Sequence, residues 1–255
     1  MRRVSAVSVG VALVVALTCF TCDVKAGVIY STDFSADPGW TTNNAANYHW
    51  DSAAGGYYHR EVNGSNEYTY KLLSGLSGDT RWRLEYDLKP LQTGWAAGSR
   101  LALSDSDMRV VEPTYFCLDF ATVEAGNRVY LEWVTTLGGA RDFVFPTAFS
   151  TGVWYHSVLE WSPDTQKLSA VITERDTGNV FGSATVDVVG TFAGVDRLAE
   201  STINHTYASG RSASGYYDNV TVSANVVPEP LSLAVWSVLG VGGLAGATWR
   251  RKRAG

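Results

Sequence analysis

Two acidic residues stand at alternating positions of one strand-like segment. In WRLEYDLKP, residues 82–90, a single residue separates Glu85 from Asp87, so both side chains fall on the same face of a β-strand. A retaining glycoside hydrolase needs two carboxyl groups roughly 5 Å apart across its cleft. Where a third acid would continue the pattern, the chain has Lys89 and Pro90. We therefore expect Glu85 and Asp87 to lie on a solvated strand face, and we predict no catalytic residue.

The histidines and cysteines match no catalytic or zinc motif. The histidines are scattered, at His49, His59, His156 and His205. No His-x-x-x-His pair, Cys-His cluster or Gly-x-Ser-x-Gly elbow is present. We expect His156 to be packed or hydrogen-bonded in a core. Cys117 is the only cysteine beyond residue 26, so that part of the chain forms no internal disulfide, and we expect Cys117 to be a small buried hydrophobe.

Oxygen-bearing side chains near both ends of residues 27–226 are candidates for a structural calcium site. Asp33 and Asp37 lie in a polar segment near the start, and Asp218 and Asn219 lie in the last strand-like segment. Calcium prefers carboxylate and carbonyl oxygens from loops. Asp and Asn are also frequent turn formers, so both interpretations are open. No other cofactor is expected.

Aromatic residues cluster in polar surroundings. The chain has 9 Trp and 13 Tyr. The clustered rings are Trp40, Tyr48, Trp50, Tyr57, Tyr58 and Trp95. Flat rings beside Asn and Asp suit stacking on sugar rings, but aromatic residues are equally ordinary filler of a sandwich core. A role in glycan contact and a role in the core are both open for these six.

The segments between the two ends of the chain alternate apolar and polar residues, the period of a half-buried β-strand. The clearest are WRLEYDL (82–88), YFCLDFAT (115–122), RVYLEWVT (128–135), WYHSVLEW (154–161) and KLSAVITE (167–174). Turn residues such as Ser-Pro-Asp and Leu-Gly-Gly separate them. Residues 27–226 therefore predict one all-β domain, a two-sheet antiparallel sandwich.

The charge distribution argues against nucleic-acid binding. Seven of the 20 basic residues but only two of the 25 acidic ones lie outside residues 27–226, which leaves that segment with a net charge of −10. An acidic domain without a basic run repels phosphate backbones. We expect no nucleic-acid partner.

The first 26 residues have the pattern of a secretory signal peptide. Arg2 and Arg3 form a short positive region, an apolar stretch follows from Val4 to Phe20, and Val24-Lys25-Ala26 offers small residues for cleavage before Gly27. This pattern predicts export and a signal peptidase that cleaves after residue 26.

The C-terminal 29 residues, 227–255, predict a membrane helix. Residues 231–249 carry no charge and would span about 28 Å as a helix, close to the hydrocarbon thickness of a bilayer. The basic tail that follows comprises Arg250, Arg251, Lys252 and Arg253. The positive-inside rule places that tail in the cytoplasm.

Pro228, Glu229 and Pro230 precede this span, and the whole arrangement resembles the PEP-CTERM sorting signal of Gram-negative bacteria. The resemblance implies recognition of the motif by an exosortase, a membrane protease. It also implies anchoring in the inner membrane before sorting, and then release to the cell surface or the extracellular space. Proteins with this signal accompany exopolysaccharide and biofilm production.

A second resemblance concerns the domain itself. WYHSVLEWSPDTQKLSAVI, GYYDNVTVS (215–223) and DFSADPGWTTN are similar to the central hairpin, closing strand and opening segment of laminin-G-like and concanavalin-like jelly rolls. This resemblance implies a jelly roll, and related domains often bring their two ends together around a structural ion.

Two functions fit these features. One is an exported, non-catalytic cell-surface or extracellular-matrix protein, with an exopolysaccharide as a candidate partner. The other is a divergent secreted glycoside hydrolase or lyase of the jelly-roll type. We favour the first because no catalytic motif is visible.

Overall fold

The computed structural model describes residues 27–62, 64–74, 76, 80–94, 97–106, 113–123, 126–201 and 211–225. One compact unit of the chain comprises Gly27–Ala224. Several predictions lie outside the described residues: the signal peptide 1–26, Trp95, the motif 228–230, the membrane helix 231–249 and the basic tail 250–253. Among the residues that are described, no helix has the length and hydropathy needed to cross a membrane.

Fifteen β-strands and no helix make up the described part of this unit, and the strands form two sheets. Sheet A has the order β13 (Val180–Asp187), β12 (Lys167–Glu174), β11 (Tyr155–Ser162), β6 (Arg81–Gln92), β15 (Ser212–Asn225), β4 (Gly56–Val62), β3 (Tyr48–Asp51), with β1 (Gly27–Thr32) also paired to β15. Sheet B has the order β10 (Arg141–Val144), β9 (Gly126–Val134), β8 (Tyr115–Val123), β7 (Gly98–Ser104), β14 (Arg197–Ser201), β5 (Tyr68–Leu72), β2 (Thr41–Thr42).

The predicted all-β antiparallel sandwich is confirmed. Each of the five alternating segments contains a strand, β6, β8, β9, β11 or β12. The predicted hairpin pairs β11 with β12 in one continuous register, from Tyr155 opposite Glu174 to Ser162 opposite Lys167. Alternation predicts these strands well because one face of each is packed against the core.

The main core lies between the sheets and is largely aromatic. Trp82 of sheet A stacks on Phe116 of sheet B with ring centroids 5.9 Å apart. Phe192 contacts both Phe116, at 5.0 Å, and Trp161, at 4.9 Å. Large rings suit this layer because they fill the roughly 10 Å that separates two packed sheets.

The two ends of the domain meet in sheet A. The first strand pairs antiparallel with the second half of the last, from Gly27 opposite Ala224 to Thr32 opposite Val220. The juxtaposition of ends that the jelly-roll resemblance implies is therefore present.

Sheet B is buried on both faces in its middle strands. Leu101 and Leu118 pack into the main core, whereas Ala102, Cys117 and Ala199 belong to a separate buried cluster. Because neighbouring residues of a strand point to opposite faces, this second cluster lies on the outer face of sheet B. Cys117 is a buried free thiol, as expected.

Candidate functional site

Three of the six predicted glycan-contacting aromatics lie in the main core. Only 8% of Trp40, 0% of Tyr48 and 2% of Tyr57 is exposed. Trp40 and Tyr57 pack against each other with ring centroids 4.6 Å apart. Rings without exposed surface cannot stack on a ligand, so for these three the core interpretation replaces glycan contact.

The remaining aromatics differ from one another. Trp50 is half-buried against the core, and its Nε1 donates a hydrogen bond to the Phe34 carbonyl at 2.8 Å. Tyr58 is half-buried on the outer face of sheet A, between His49 at 5.1 Å and Tyr216 at 5.5 Å. Of the five glycan-contact candidates that the structure describes, Tyr58 therefore has its ring on an outer sheet face. Trp95, as noted, lies outside the described residues.

The four predicted calcium ligands are engaged by protein groups. The carboxylates of Asp33 and Asp37 each accept a hydrogen bond from the backbone N–H two residues further on, at 3.0 and 2.9 Å. Asp218 Oδ2 accepts one from Arg175 at 3.2 Å, and Asn219 Nδ2 donates to Asp218 Oδ2 at 3.3 Å. Within the described ranges, no group of three or more His, Cys, Asp or Glu side chains could hold a metal ion. The calcium site stays a prediction.

The expectation of a solvated face at Glu85 and Asp87 is wrong for Asp87. Its carboxylate is buried and lies 2.8 Å from His156 Nδ1, 2.8 Å from Asn219 Nδ2 and 3.2 Å from Arg175 Nη1. His156 is hydrogen-bonded as expected, but it lies on the outer face with 38% of its side chain exposed, not in the core. Glu85 is partly exposed and pairs with Arg83.

This Asp87 cluster ties sheet A together. The Arg175 guanidinium also stacks over the Trp154 ring, 4.1 Å from its centroid. Asp87 therefore joins β6, β11 and β15 to the turn that holds Arg175, and an arginine compensates its charge. These contacts give Asp87 a structural role, because one buried carboxylate links several strands of sheet A.

A second polar network crosses the interior. His59 Nδ1 lies 2.7 Å from Glu200 Oε1, and the Tyr217 hydroxyl lies 2.8 Å from Glu200 Oε2 and 2.6 Å from the Arg100 carbonyl. The rings of His59 and Tyr217 stack at 4.5 Å. Arg100 Nη2 donates to Glu61 Oε1 at 3.2 Å. The network links β4 and β15 of sheet A to β7 and β14 of sheet B.

The outer face of sheet B has an acidic site where β8, β9 and β10 run side by side. Asp119 on β8 is directly opposite Tyr130 on β9. Glu132, two residues after Tyr130 on β9, is directly opposite Asp142 on β10. Residues directly opposite each other share a face of the sheet. We call Asp119, Tyr130, Glu132 and Asp142 the acidic face. Asp119 is buried, Tyr130 and Glu132 are half-buried, and Asp142 is exposed.

The buried carboxylate of this face is incompletely bonded. Asp119 is directly opposite Arg100 on β7. Nevertheless, none of the described groups donates a hydrogen bond to Asp119 Oδ1, which is buried. Gly98 leaves the space that this oxygen occupies, because a Cβ on Gly98 would overlap it. A buried acceptor without a donor is costly to stability.

Burial and mutual repulsion shift the pKa values of the acidic face. Burial, followed by the charge of Glu132, raises the pKa of Asp119 from 3.8 to about 7. Burial also raises the pKa of Glu132, with Arg100 opposing the shift and Asp142 adding to it. At neutral pH Asp119 can therefore donate or accept a proton. Such a group can hydrogen-bond a hydroxyl in either direction.

The acidic face was absent from the sequence predictions, although a signal for it exists. YFCLDF and RVYLEWV place Asp119 and Glu132 at alternating positions of two strands that form a hairpin. Each of these two segments contains a single acid, so neither has the pair of acids within one strand that marks Glu85 and Asp87. Pairing the two strands across their short turn would have put both carboxylates on one face.

Comparison with protein-family models and with curated protein sequences gives no match. Among solved structures, basic winged bean lectin with Tn-antigen matches with a TM-score of 0.57 and 8% identity, covering 80% of this chain and 100% of the lectin. The CBM2 module of the evolved Dit of Lactobacillus casei BL23 phage J-1 matches at 0.50 and 14%, covering 80% and 98%. The T. cruzi calreticulin globular domain matches at 0.50 and 11%, covering 87% and 95%. At these identities the likeness is one of fold, and the chain has the jelly-roll sandwich of lectins and carbohydrate-binding modules.

Proposed function

We propose that this protein is an exported, non-catalytic surface or matrix protein that binds a polysaccharide on the acidic face of sheet B. The observation that carries the proposal is the half-buried ring of Tyr130 on the outer face of sheet B, which offers a surface for a sugar ring. The half-buried Glu132 and the exposed Asp142 lie on the same face, and their carboxylates would accept hydrogen bonds from sugar hydroxyls. The lectin-like fold supports the proposal without identifying the sugar.

The test is a polysaccharide and oligosaccharide array probed with the full chain, purified in a mild detergent. We expect saturable binding that Asp142→Asn and Tyr130→Ala each weaken by about tenfold, equivalent to about 1.4 kcal/mol. Asp187→Asn is the matched control, since Asp187 is exposed on β13 of the other sheet. If no glycan binds saturably, or if the control weakens binding equally, the proposal is wrong.

A secreted glycoside hydrolase or lyase is the second candidate, because Asp119 and Glu132 lie on adjacent strands of one face. A carboxyl group with a pKa of about 7, as Asp119 has, could deliver a proton at neutral pH while a second carboxylate accepts one. Any polysaccharide that binds should be incubated with the protein and assayed for new reducing ends and unsaturated sugars. Products that vanish in both Asp119→Asn and Glu132→Gln would make the protein an enzyme.

We also propose the route by which the domain reaches its ligand. Signal peptidase would remove residues 1–26, the helix 231–249 would hold the chain in the inner membrane, and an exosortase would read Pro228-Glu229-Pro230. The three-part order of motif, apolar span and basic tail supports this route. The domain would then join the exopolysaccharide layer of a Gram-negative cell. Fractionation of cells with and without an exosortase tests the final location.

A further inference from the structure

Strand β13 is the longest strand at the edge of either sheet in the described part of the chain. It comprises Val180–Asp187 and pairs with β12 on one side only. The other strands at the ends of the described sheets are short or irregular. β2 has two residues, β3 and β10 have four each, and β1 is bulged between Val28 and Tyr30. Short strands and bulges are usual ways to protect a sheet edge from pairing with another chain.

The side chains of β13 give it little protection of their own. From Val180 to Val186 the strand has no charged residue and no proline. Its one charged residue, Asp187, is the last, and Lys167 of β12 binds its carboxylate at 2.7 Å. The pairing with β12 is regular except for one shift beyond Ile172, near the start of β13. Because charges and prolines normally keep other strands away from an edge, this edge indicates that a further strand binds there.

Three residues of β13 direct their backbone groups away from β12. Val188, which follows the strand, donates its backbone N–H to the Gln166 carbonyl at 2.8 Å. In an antiparallel pair only every second residue bonds to a given neighbouring strand. Counting back from Val188, the N–H and C=O groups of Ser183, Thr185 and Asp187 face the open edge. These groups can hydrogen-bond a further strand.

The pattern of β13 is complementary to itself in the antiparallel direction. If a two-fold axis passes at Thr185, this residue lies opposite its own copy, and Ser183 lies opposite Asp187 of the second copy. All the outward-facing residues are then paired and form about six backbone hydrogen bonds. On the core side, Ala184 lies opposite Val186 of the second copy, and both already pack against the main core. Such a contact uses the same strand on both chains, so it closes at two copies.

Exposed apolar residues at both ends of β13 favour a second copy as the partner. Val180 begins the strand, Val189 follows its end, and both side chains are largely exposed. Antiparallel pairing about Thr185 places the start of one β13 beside the end of the other. Val180 therefore lies near Val189 of the second copy, and removal of both side chains from water favours the association.

The neighbouring edge of sheet B is apolar as well. Phe143 and Val144 of β10 are exposed. The next residue, Phe145, lies against β13, because a Cβ on Gly182 would come within 2.6 Å of its ring. A two-fold axis normal to sheet A keeps both copies of sheet B on the same side, so their β10 strands both face the contact. The exposed side chains of β10 would extend the apolar surface that becomes buried.

We propose that two copies of this protein associate by antiparallel pairing of their β13 strands about Thr185, which joins the two copies of sheet A into one continuous sheet. This inference does not depend on the proposed glycan ligand. It has a consequence for that ligand, since both acidic faces would point the same way and a polymer bound to one would be held near the other. The contact is small, so we expect a Kd of about 10–100 μM.

Sedimentation velocity of the full chain in a mild detergent measures this Kd over about 1–300 μM protein. Thr185→Lys places two like charges opposite each other at the axis and should raise the Kd at least about tenfold. Thr185→Pro removes an outward-facing N–H and should also raise it, while the bonds to β12 stay in place. Ser31→Lys is the matched control, since Ser31 is exposed on the edge strand β1 of the same sheet, and it should leave the Kd unchanged.

Disulfide cross-linking locates the axis. Opposite residues of an antiparallel pair have Cα atoms about 5.5 Å apart, which a disulfide can bridge. Thr185→Cys should therefore give a covalent dimer on mild oxidation, seen on a non-reducing gel. Ser31→Cys should give no more dimer than the unmodified chain, which shows the background from its own three cysteines.

Three results would overturn the inference. One is a monomer at every concentration. Another is a dimer whose Kd is the same in Thr185→Lys and Thr185→Pro as in the unmodified chain, because another surface or the predicted membrane helix would then hold the two copies. The third is cross-linking of Ser31→Cys as strong as that of Thr185→Cys. Circular dichroism checks that each variant is folded, and if Thr185→Pro is not, Thr185→Lys and the cysteine variants decide. Glycan binding is measured separately on the array, so none of these results bears on it.

Discussion

The carboxylate of Asp119 fills the space in which a side chain at position 98 would begin. Gly98 is opposite Ala121, one row along the same face from Asp119, and a Cβ on Gly98 would overlap Asp119 Oδ1. The missing side chain on β7 therefore decides where this carboxylate lies. The acidic face depends on a glycine that belongs to the neighbouring strand.

Gly98→Ala should displace the Asp119 carboxylate. The overlap should cost about 1–3 kcal/mol of stability, measured by chemical denaturation. In the Asp119→Ala background the same substitution should cost clearly less, because the overlapping atoms are gone. An equal cost in both backgrounds would contradict the role given to Gly98.

The stability of the protein should fall as the pH rises from about 4 to about 7. The pKa of Asp119 is about 7 in the folded protein against an ordinary value of 3.8, so over this range the folded state holds a proton that the unfolded chain has released. The contribution of Asp119 is therefore fully present below pH 3.8 and is lost as the pH passes through about 7. Urea denaturation at a series of pH values measures the slope.

Asp119→Asn is the control for this pH dependence. The amide does not titrate, so the decline between these pH values should become shallower. It should not vanish, because burial raises the pKa values of Glu61 and Glu132 in the same direction. An unchanged slope in Asp119→Asn would show that Asp119 does not hold the proton.

Tyr217→Phe should destabilise the interior network. The Tyr217 hydroxyl lies 2.8 Å from Glu200 Oε2, and its removal leaves a buried carboxylate with one donor fewer. We expect a loss of about 1–3 kcal/mol in the free energy of unfolding. Tyr58→Phe is the matched control, since that ring is half-buried on an outer face, and it should change stability by no more than about 0.5 kcal/mol. Equal effects of both would argue against the network.

Asp87→Ala and Glu85→Ala, two positions apart on one face of β6, should differ sharply. Asp87 is buried and bonded to His156, Arg175 and Asn219, so its loss should cost about 3 kcal/mol. Glu85 is partly exposed, and its pairing with Arg83 should be worth no more than about 1 kcal/mol. Thermal or urea unfolding measures the loss in the free energy of unfolding of each variant. A larger loss for Glu85→Ala than for Asp87→Ala would refute the structural role of Asp87.

Glu229→Ala should block sorting without blocking membrane insertion. The flanking prolines keep the motif extended, so Glu229 supplies the one charge that a protease pocket could read. In a host with an exosortase, we expect full-length protein to accumulate in the membrane fraction, visible on immunoblots. Release at the normal rate would mean that the tail is only an anchor.

Local pattern predicted the strands but not the roles of the polar residues on them. Asp87 and Glu85 look equivalent in WRLEYDLKP, yet Asp87 is buried and bonded to Arg175 from a distant turn, whereas Glu85 is partly exposed. Likewise, Trp40 and Tyr57 stand among polar residues, which suggested an exposed position, but both rings point into the core. Neighbours in sequence do not reveal which face a residue has, unless the register of the whole sheet is known.

Alternation along the chain was enough to predict the all-β class, the main strands and the hairpin between β11 and β12, because a period of two residues is a local property of a half-buried strand. It did not predict that Asp119 and Glu132 share a face with Asp142, that Arg100 reaches Glu61 in the other sheet, or that Gly98 makes room for Asp119. These relations join residues from different strands. Strand order and register set them, and both depend on packing across the whole sandwich.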